Sequence, residues 1–194
     1  KDHCPPGPTY LVMAPTRELA QQITSVFNMM AQGHDIKAIS IIGGEDVMKQ
    51  KEALKTGIDL LAATPGRLRD LFEQNVISFK YIKGVVLDEA DRLLDMGFKD
   101  DIYWLMRKMP QHRQVLLFTA TGNFDVLNMA YRLGSNPIEF NLTKNNAMVE
   151  KIVHTQAIIG DNEKIPLLVG LLRARPDAYA LIFCNKKSDT IVVA

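Results

Sequence analysis

Asp88-Glu89-Ala90-Asp91 sets three carboxylates within four residues, directly after the run Tyr81-Ile82-Lys83-Gly84-Val85-Val86-Leu87. That run ends in apolar residues of the kind that form a buried strand of a parallel sheet. Carboxylates that follow such a strand stand at the C-terminal edge of the sheet, where α/β folds bind ligands. A strand-end Asp there helps hold Mg²⁺ on phosphates, and the adjacent carboxylate can polarise an attacking water. The same acids also suit the start of a helix, whose dipole favours negative charge. Taken alone, the tetrapeptide leaves both readings open.

Other segments carry chemistry of a different kind. Gly43-Gly44 leaves backbone N–H groups unscreened and able to approach phosphate oxygens, although a lone Gly-Gly is otherwise a plain turn. Thr16 and Thr64 offer hydroxyls, and Arg17 and Arg67 offer planar guanidinium forks that match phosphate. Both arginines fall at expected helix N-termini, which attract anions. An Arg in that place is disfavoured by the dipole, so two of them argue for a function. Contacts of this kind fix backbone position and carry no sequence information. Thr119-Ala120-Thr121 adds two hydroxyls, which read equally as good strand formers at a strand end.

The elements that must position these residues alternate between apolar runs and helical patterns, the signature of a parallel sheet covered by helices. Strands are expected at Thr9 to Ala14, Lys37 to Ile42, Ile58 to Ala63, the run into Asp88, and Val115 to Phe118. The helix after the first strand carries Leu19, Ile23, Val26, Phe27 and Met30 on one face, and Met29 and Met30 read as packing. Asp46 to Lys55 is the second helix, Pro65 opens the third, Lys99 to Met109 is a fourth and Asp125 to Leu133 a fifth. Trp104, on the helix at 99–109, has the shape to stack a base, but an aromatic on an amphipathic helix is more often core. With this assignment Pro15-Thr16-Arg17-Glu18-Leu19-Ala20, Gly43-Gly44, Thr64-Pro65-Gly66-Arg67, Asp88-Glu89-Ala90-Asp91 and Thr119-Ala120-Thr121 each follow one strand, on one edge of one sheet. That convergence predicts a composite site.

The polar stretch Asn141-Leu142-Thr143-Lys144-Asn145-Asn146 lacks periodicity and suits a linker. Beyond it Ile152 to Ile159 runs apolar, Lys164 to Leu172 is helical and Tyr179 to Phe183 reads as a strand. The 194 residues are 47% hydrophobic and 23% charged, ordinary for a soluble globular protein of one or two domains. A net charge of +1 gives no global basic field, so any nucleic-acid contact must come from local groups. Cys4 and Cys184 lie far apart and the four histidines are scattered, which disfavours a zinc site or a disulfide framework and fits a reducing cytosol. No run of 18 apolar residues and no signal peptide is present, so no membrane is expected.

These segments, in this order, resemble the DEAD-box family of ATP-dependent RNA helicases. They match its motif Ia, GG motif, motif Ib, motif II and motif III, and Phe183-Cys184-Asn185 resembles motif IV. Asp95-Met96-Gly97-Phe98 and the stretch from Ile102 to Pro110 look most like bacterial members, including the RNA-degradosome type. The resemblance implies an α/β fold: an incomplete RecA-like parallel sheet with helices on both faces over 1–140, a linker over 141–150, and the start of a second RecA-like domain over 151–194. It implies ATP and Mg²⁺ as cofactors, with Asp88 holding Mg²⁺ through water and Glu89 activating the hydrolytic water. Asp91 would bond to Thr119 or Thr121 and couple the nucleotide state to RNA. The family usually has Ser-Ala-Thr where this chain has Thr119-Ala120-Thr121; the hydroxyl survives with an added methyl. Thr16, Arg17, Gly43, Gly44, Thr64, Gly66 and Arg67 would contact the RNA backbone with little base preference. RNA-processing or degradation partners and a cytoplasmic location follow from the same resemblance.

No G-x-x-x-x-G-K-[ST] segment occurs in these residues, nor do the family's adenine-reading glutamine motif or its arginine-finger motif. Lys1 is not a Met, and the expectation is an interior stretch of a longer protein. Phosphoryl transfer needs a phosphate loop, Mg²⁺, a water-positioning group and an arginine finger together. The stretch alone is therefore expected to be inactive toward ATP. A truncated, non-catalytic RNA-binding scaffold is the alternative, and a relative acting on DNA is another.

Overall fold

Each expected strand of the first unit forms, and the sheet joins them in an order that the sequence does not announce. The computed structural model describes residues 7–134, 136–142, 153, 155–177 and 179–193. The chain divides into two units, Lys1–Glu139 and Phe140–Ala194. In the first, β1 (Tyr10–Met13), β2 (Ala38–Ile41), β3 (Leu60–Ala63), β4 (Gly84–Leu87) and β5 (Gln114–Leu117) make one parallel sheet in the order β2-β3-β1-β4-β5. All five strands therefore end on the same edge, as an α/β architecture requires.

The helices start where local chemistry dictates. Thr16 caps α1 (Arg17–Met30) by accepting the Leu19 N–H at 3.3 Å. Asp46 caps α2 (Val47–Leu54) through the Met48 N–H at 2.8 Å. Pro65 opens α3 (Pro65–Glu73), where a missing N–H costs nothing. The short α4 (Ala90–Asp95) leads into α5 (Lys99–Arg107), which begins with Asp100 and Asp101 and ends with Arg107, complementing its dipole. Asn123 caps α6 (Phe124–Leu133) through the Val126 N–H at 2.9 Å.

Helices lie on both faces of the sheet, and the period of two along the strands sorts the core accordingly. Leu11, Met13, Leu61, Ala63, Val85 and Leu87 pack with residues of α3, α5 and α6, among them Leu68, Leu71, Ile102, Leu105, Val126 and Met129. Val12, Ala14 and Ala62 pack with Ala20 of α1, flanked by Leu19 and Ile23. The second face is covered over β1 to β3 only. Toward β5 it opens: Leu116 is 41% exposed and Phe118 56%.

Two expectations about packing change. Met29 and Met30 do not pack; they are 62% and 75% exposed. The stripe of α1 faces the sheet through Leu19, Ala20 and Ile23 in its first half, and the last turn meets β2 through Asn28, whose amide exchanges hydrogen bonds with Ala38, on a side away from Met29 and Met30. Tyr179 to Phe183 forms no strand, because a strand is defined by its neighbour and no pairing partner stands beside it among the described residues. The second unit comprises a 3-10 turn at Asp161–Glu163, α7 (Lys164–Arg173) and α8 (Lys187–Val193). The expected linker falls largely on residues 143–150, outside those described. Among the described residues no helix is long and apolar enough to cross a membrane.

Candidate functional site

At the end of β4 the chain turns from strand to helix in the space of two residues, Asp88 and Glu89. Glu89 makes that turn with φ +47° and ψ +55°, a left-handed conformation that costs a non-glycine residue about 1 kcal/mol. The neighbouring strands pin the corner. The Asp88 N–H donates to Met13 C=O at 3.0 Å, and the Ala90 N–H to Phe118 C=O at 2.9 Å. Asp88 Oδ1 accepts the Glu89 N–H at 3.0 Å. The Glu89 carboxylate meets Arg92 Nη1 at 2.8 Å, one turn along α4. Strain held in this way by surrounding structure is a mark of functional sites.

Asp91 is buried behind that corner. Its Oδ2 accepts both the Thr121 hydroxyl at 2.8 Å and the Thr121 N–H at 3.1 Å, while Oδ1 accepts the Arg92 N–H at 3.0 Å. Burial by itself raises the pKa of this carboxyl. The hydrogen bonds, led by the Thr121 hydroxyl, outweigh it and hold the group below the ordinary 3.8. Of the two threonines, Thr121 makes the bond to Asp91 and Thr119 donates to the Thr121 carbonyl at 2.9 Å. This clamp ties α4 to the segment that follows β5.

A cleft of about 450 Å³ lies along the same sheet edge, on the side of β1, β2 and β3. Thr16, Arg17, Gly43, Thr64, Gly66 and Arg67 line it, all but Gly44 of the seven residues expected to face phosphate. Gly44 has φ +80°, and a Cβ there would land on Arg17 Nη1 and within 2.7 Å of Arg17 Cζ. The space over this glycine is thus taken by the Arg17 guanidinium, and its positive φ favours a residue without a side chain. Thr16 spends an acceptor on its helix cap, and Thr64, which is buried, makes no side-chain cap.

An adjoining cleft of about 430 Å³ is lined by Gly43, Gly66, Arg67, Arg69, Asp70, Glu73 and Asp101. Arg69 is bound there by Asp101 at 2.9 Å and Glu73 at 3.0 Å, hydrogen bonds that raise its pKa. Trp104 is half-buried, edge-on to Phe72 at 5.6 Å, with the Arg69 guanidinium 4.8 Å from its ring centroid. The ring serves the α3–α5 packing.

Asp88, Glu89, Asp91, Thr119 and Thr121 line neither cleft. The two groups of residues are joined by α4, which begins next to Glu89 and runs out into Met96 and Phe98, two further residues of the 450 Å³ cleft. The sequence singles out Asp95-Met96-Gly97-Phe98 only through its resemblance. Its signal is a pair of apolar residues flanking a glycine just past a helix end: Met96 is exposed, Phe98 packs against the core, and Gly97 has φ +82°.

A family model described as DEAD/DEAH box helicase matches residues 2–130. The chain is 39% identical over 193 residues to eukaryotic initiation factor 4A of Caenorhabditis elegans, covering 98% of this chain and 48% of that protein. It is 38% identical over 190 residues to the ATP-dependent RNA helicase RhlB of Xanthomonas axonopodis pv. citri, covering 96% and 33%. Among solved structures, a DEAD box protein from the hyperthermophile Methanococcus jannaschii superposes with a TM-score of 0.68 at 31% identity, covering 96% of this chain and 50% of that one. The chain thus spans half or less of the length of these relatives.

Proposed function

The chain belongs to the DEAD/DEAH box helicase family, and on that premise we propose that it is part of an ATP-dependent RNA helicase. The observation that carries this reading is the gathering of Thr16, Arg17, Gly43, Thr64, Gly66 and Arg67 around one cleft on the C-terminal edge of the sheet. Two guanidinium groups and the N-termini of α1 and α3 give that cleft a local positive potential that a net charge of +1 does not advertise. An RNA backbone fits it, and contacts to phosphate fix position without reading sequence, which matches low sequence preference. Gly44 contributes by admitting Arg17.

In the same reading Glu89 polarises and orients the hydrolytic water, and Asp88 takes part in holding Mg²⁺. Among the described residues no group of three His, Cys, Asp or Glu is placed to hold a metal. Asp88 and Glu89 fit an ion that keeps most of its water and is shared with phosphates, as Mg²⁺ is in nucleotide sites. Bound there, the ion would neutralise phosphate charge. The Asp91–Thr121 clamp and α4 then connect the carboxylate corner with the RNA cleft. Residues 151–194 are read as the start of a second RecA-like domain, and the two domains of the whole protein would close on ATP and RNA together. Each ligand should then tighten the other.

Anisotropy of a fluorescein-labelled oligouridylate tests the cleft directly. Arg17→Ala and Arg67→Ala should each weaken binding whatever the base composition, and each should reduce the salt slope by about 0.7. Unchanged affinity and slope in both variants would overturn the assignment, and a matched DNA strand as competitor separates RNA from DNA preference. The 194-residue chain should not hydrolyse ATP above background. RNA-stimulated turnover by this chain, lost on Glu89→Gln, would sink that expectation.

A further inference from the structure

Gln50 is a polar side chain in the middle of α2, only 4% exposed, in a helix that otherwise shows its polar groups to water. Its amide uses both ends. Nε2 donates to the Ile42 carbonyl at 2.8 Å and to Glu45 Oε2 at 3.3 Å, the residues on either side of Gly43-Gly44. Oε1 accepts Arg67 Nη1 at 3.4 Å. Glu45 is held in turn from α1, where Gln21 Nε2 donates to its Oε1 at 3.0 Å. One buried amide thus joins the glycine loop after β2 to the arginine at the start of α3.

We infer that Gln50 is a positioning residue for phosphate binding, fixing the Arg67 guanidinium relative to the glycine loop on which Arg17 lies. The inference rests on the reading of the cleft as an RNA-backbone site. The chemistry requires an amide. Arg67 is donor-only and needs an acceptor, whereas the Ile42 carbonyl needs a donor, and a single primary amide supplies both. A carboxylate would face Ile42 C=O and Glu45 with a third set of acceptors, and a lysine would repel Arg67. A long arginine side chain carries rotamer entropy that must be lost on binding a phosphate; holding it beforehand removes part of that cost. Asp70 Oδ2 stands 4.0 Å from Arg67 Nε on the same helix, and the guanidinium donors that neither group takes are left for the ligand. The role differs from that of Arg67 itself, since Gln50 lines neither cleft.

The experiment is a double-mutant cycle on the full 194-residue chain, read by anisotropy of a labelled oligouridylate. Gln50→Met keeps the volume and removes the amide. It should weaken binding about three- to tenfold, the range of an ordinary lost hydrogen bond. In an Arg67→Ala background the same change should cost nothing further. An equal loss in both backgrounds would mean that Gln50 only supports the fold, and would overturn the inference, as would no loss in either. Binding weakened by Arg17→Ala but not by Arg67→Ala would overturn the inference alone; if neither variant changes binding, the RNA reading of the cleft fails first, independently of Gln50. A second measurement needs no variant: NMR of the Arg67 guanidinium in the unmodified chain should show hindered rotation about its Nε–Cζ bond. Rotation as free as that of an exposed arginine would overturn the inference even if Gln50→Met does not fold.

Discussion

At the scale of single residues, the carboxylate corner trades stability for geometry. Glu89 sits at φ +47° without the side chain for it, so Glu89→Gly should raise stability by about 0.5–1 kcal/mol, while removing the group assigned to water activation. Urea unfolding monitored by circular dichroism reads this, and a fall in stability would show that the Arg92 ion pair outweighs the strain. The exposed setting of that pair argues that it does not. Asp91 gives a prediction in pH. Its folded pKa lies below the unfolded value of 3.8, so the stabilisation is complete above about pH 4 and drains away as pH falls through the depressed pKa. Thr121→Val removes the leading hydrogen bond. It should cost about 1.5 kcal/mol at pH 7, less at pH 3, and flatten the acid limb of the stability curve. An acid limb of unchanged slope would count against the clamp.

At the scale of elements, the cap that starts α2 also sets the helix that carries Gln50. Asp46→Ala should lower stability by about 1 kcal/mol, measured as a shift in urea midpoint. The other exposed element is β5. Among the described residues its outer edge pairs with no strand, and the open face around Leu116 and Phe118 presents apolar side chains beside it, the combination that templates self-association. Leu116→Lys should reduce light scattering at high protein concentration while leaving the urea midpoint nearly unchanged, since Leu116 already faces solvent. Scattering that persists would place the sticky surface elsewhere.

At the scale of the whole chain, the two units contribute unequally. The helix α7 buries none of its residues, whereas the first unit contains both hydrophobic clusters. Cooperative unfolding scales with the surface a unit buries. A chain ending at Glu139 should therefore unfold at the same urea midpoint as the 194-residue chain, with an m-value lower by no more than about a tenth. A midpoint that drops on truncation would show that the second unit adds stability that the buried surfaces do not record.

The sequence alone determined the five strands, because apolar runs of that length between helical periods can bury themselves only in a covered parallel sheet. It also determined the residues at the strand ends, whose types and spacing carry the family resemblance. Local pattern could not decide which packing surface has a partner. Met30 obeys helical periodicity and still faces water, as does Met29, and Tyr179 to Phe183 is a good strand former with no pairing partner among the described residues. Nor could it decide which threonine meets Asp91, that Arg17 lies on Gly44, or that Gln50 meets Arg67, 17 residues further along the chain. Those are facts about distance in space, set by the strand order β2-β3-β1-β4-β5. That order brings the ends of β1, β2 and β3 around one cleft and leaves the carboxylate corner beyond it, linked through α4.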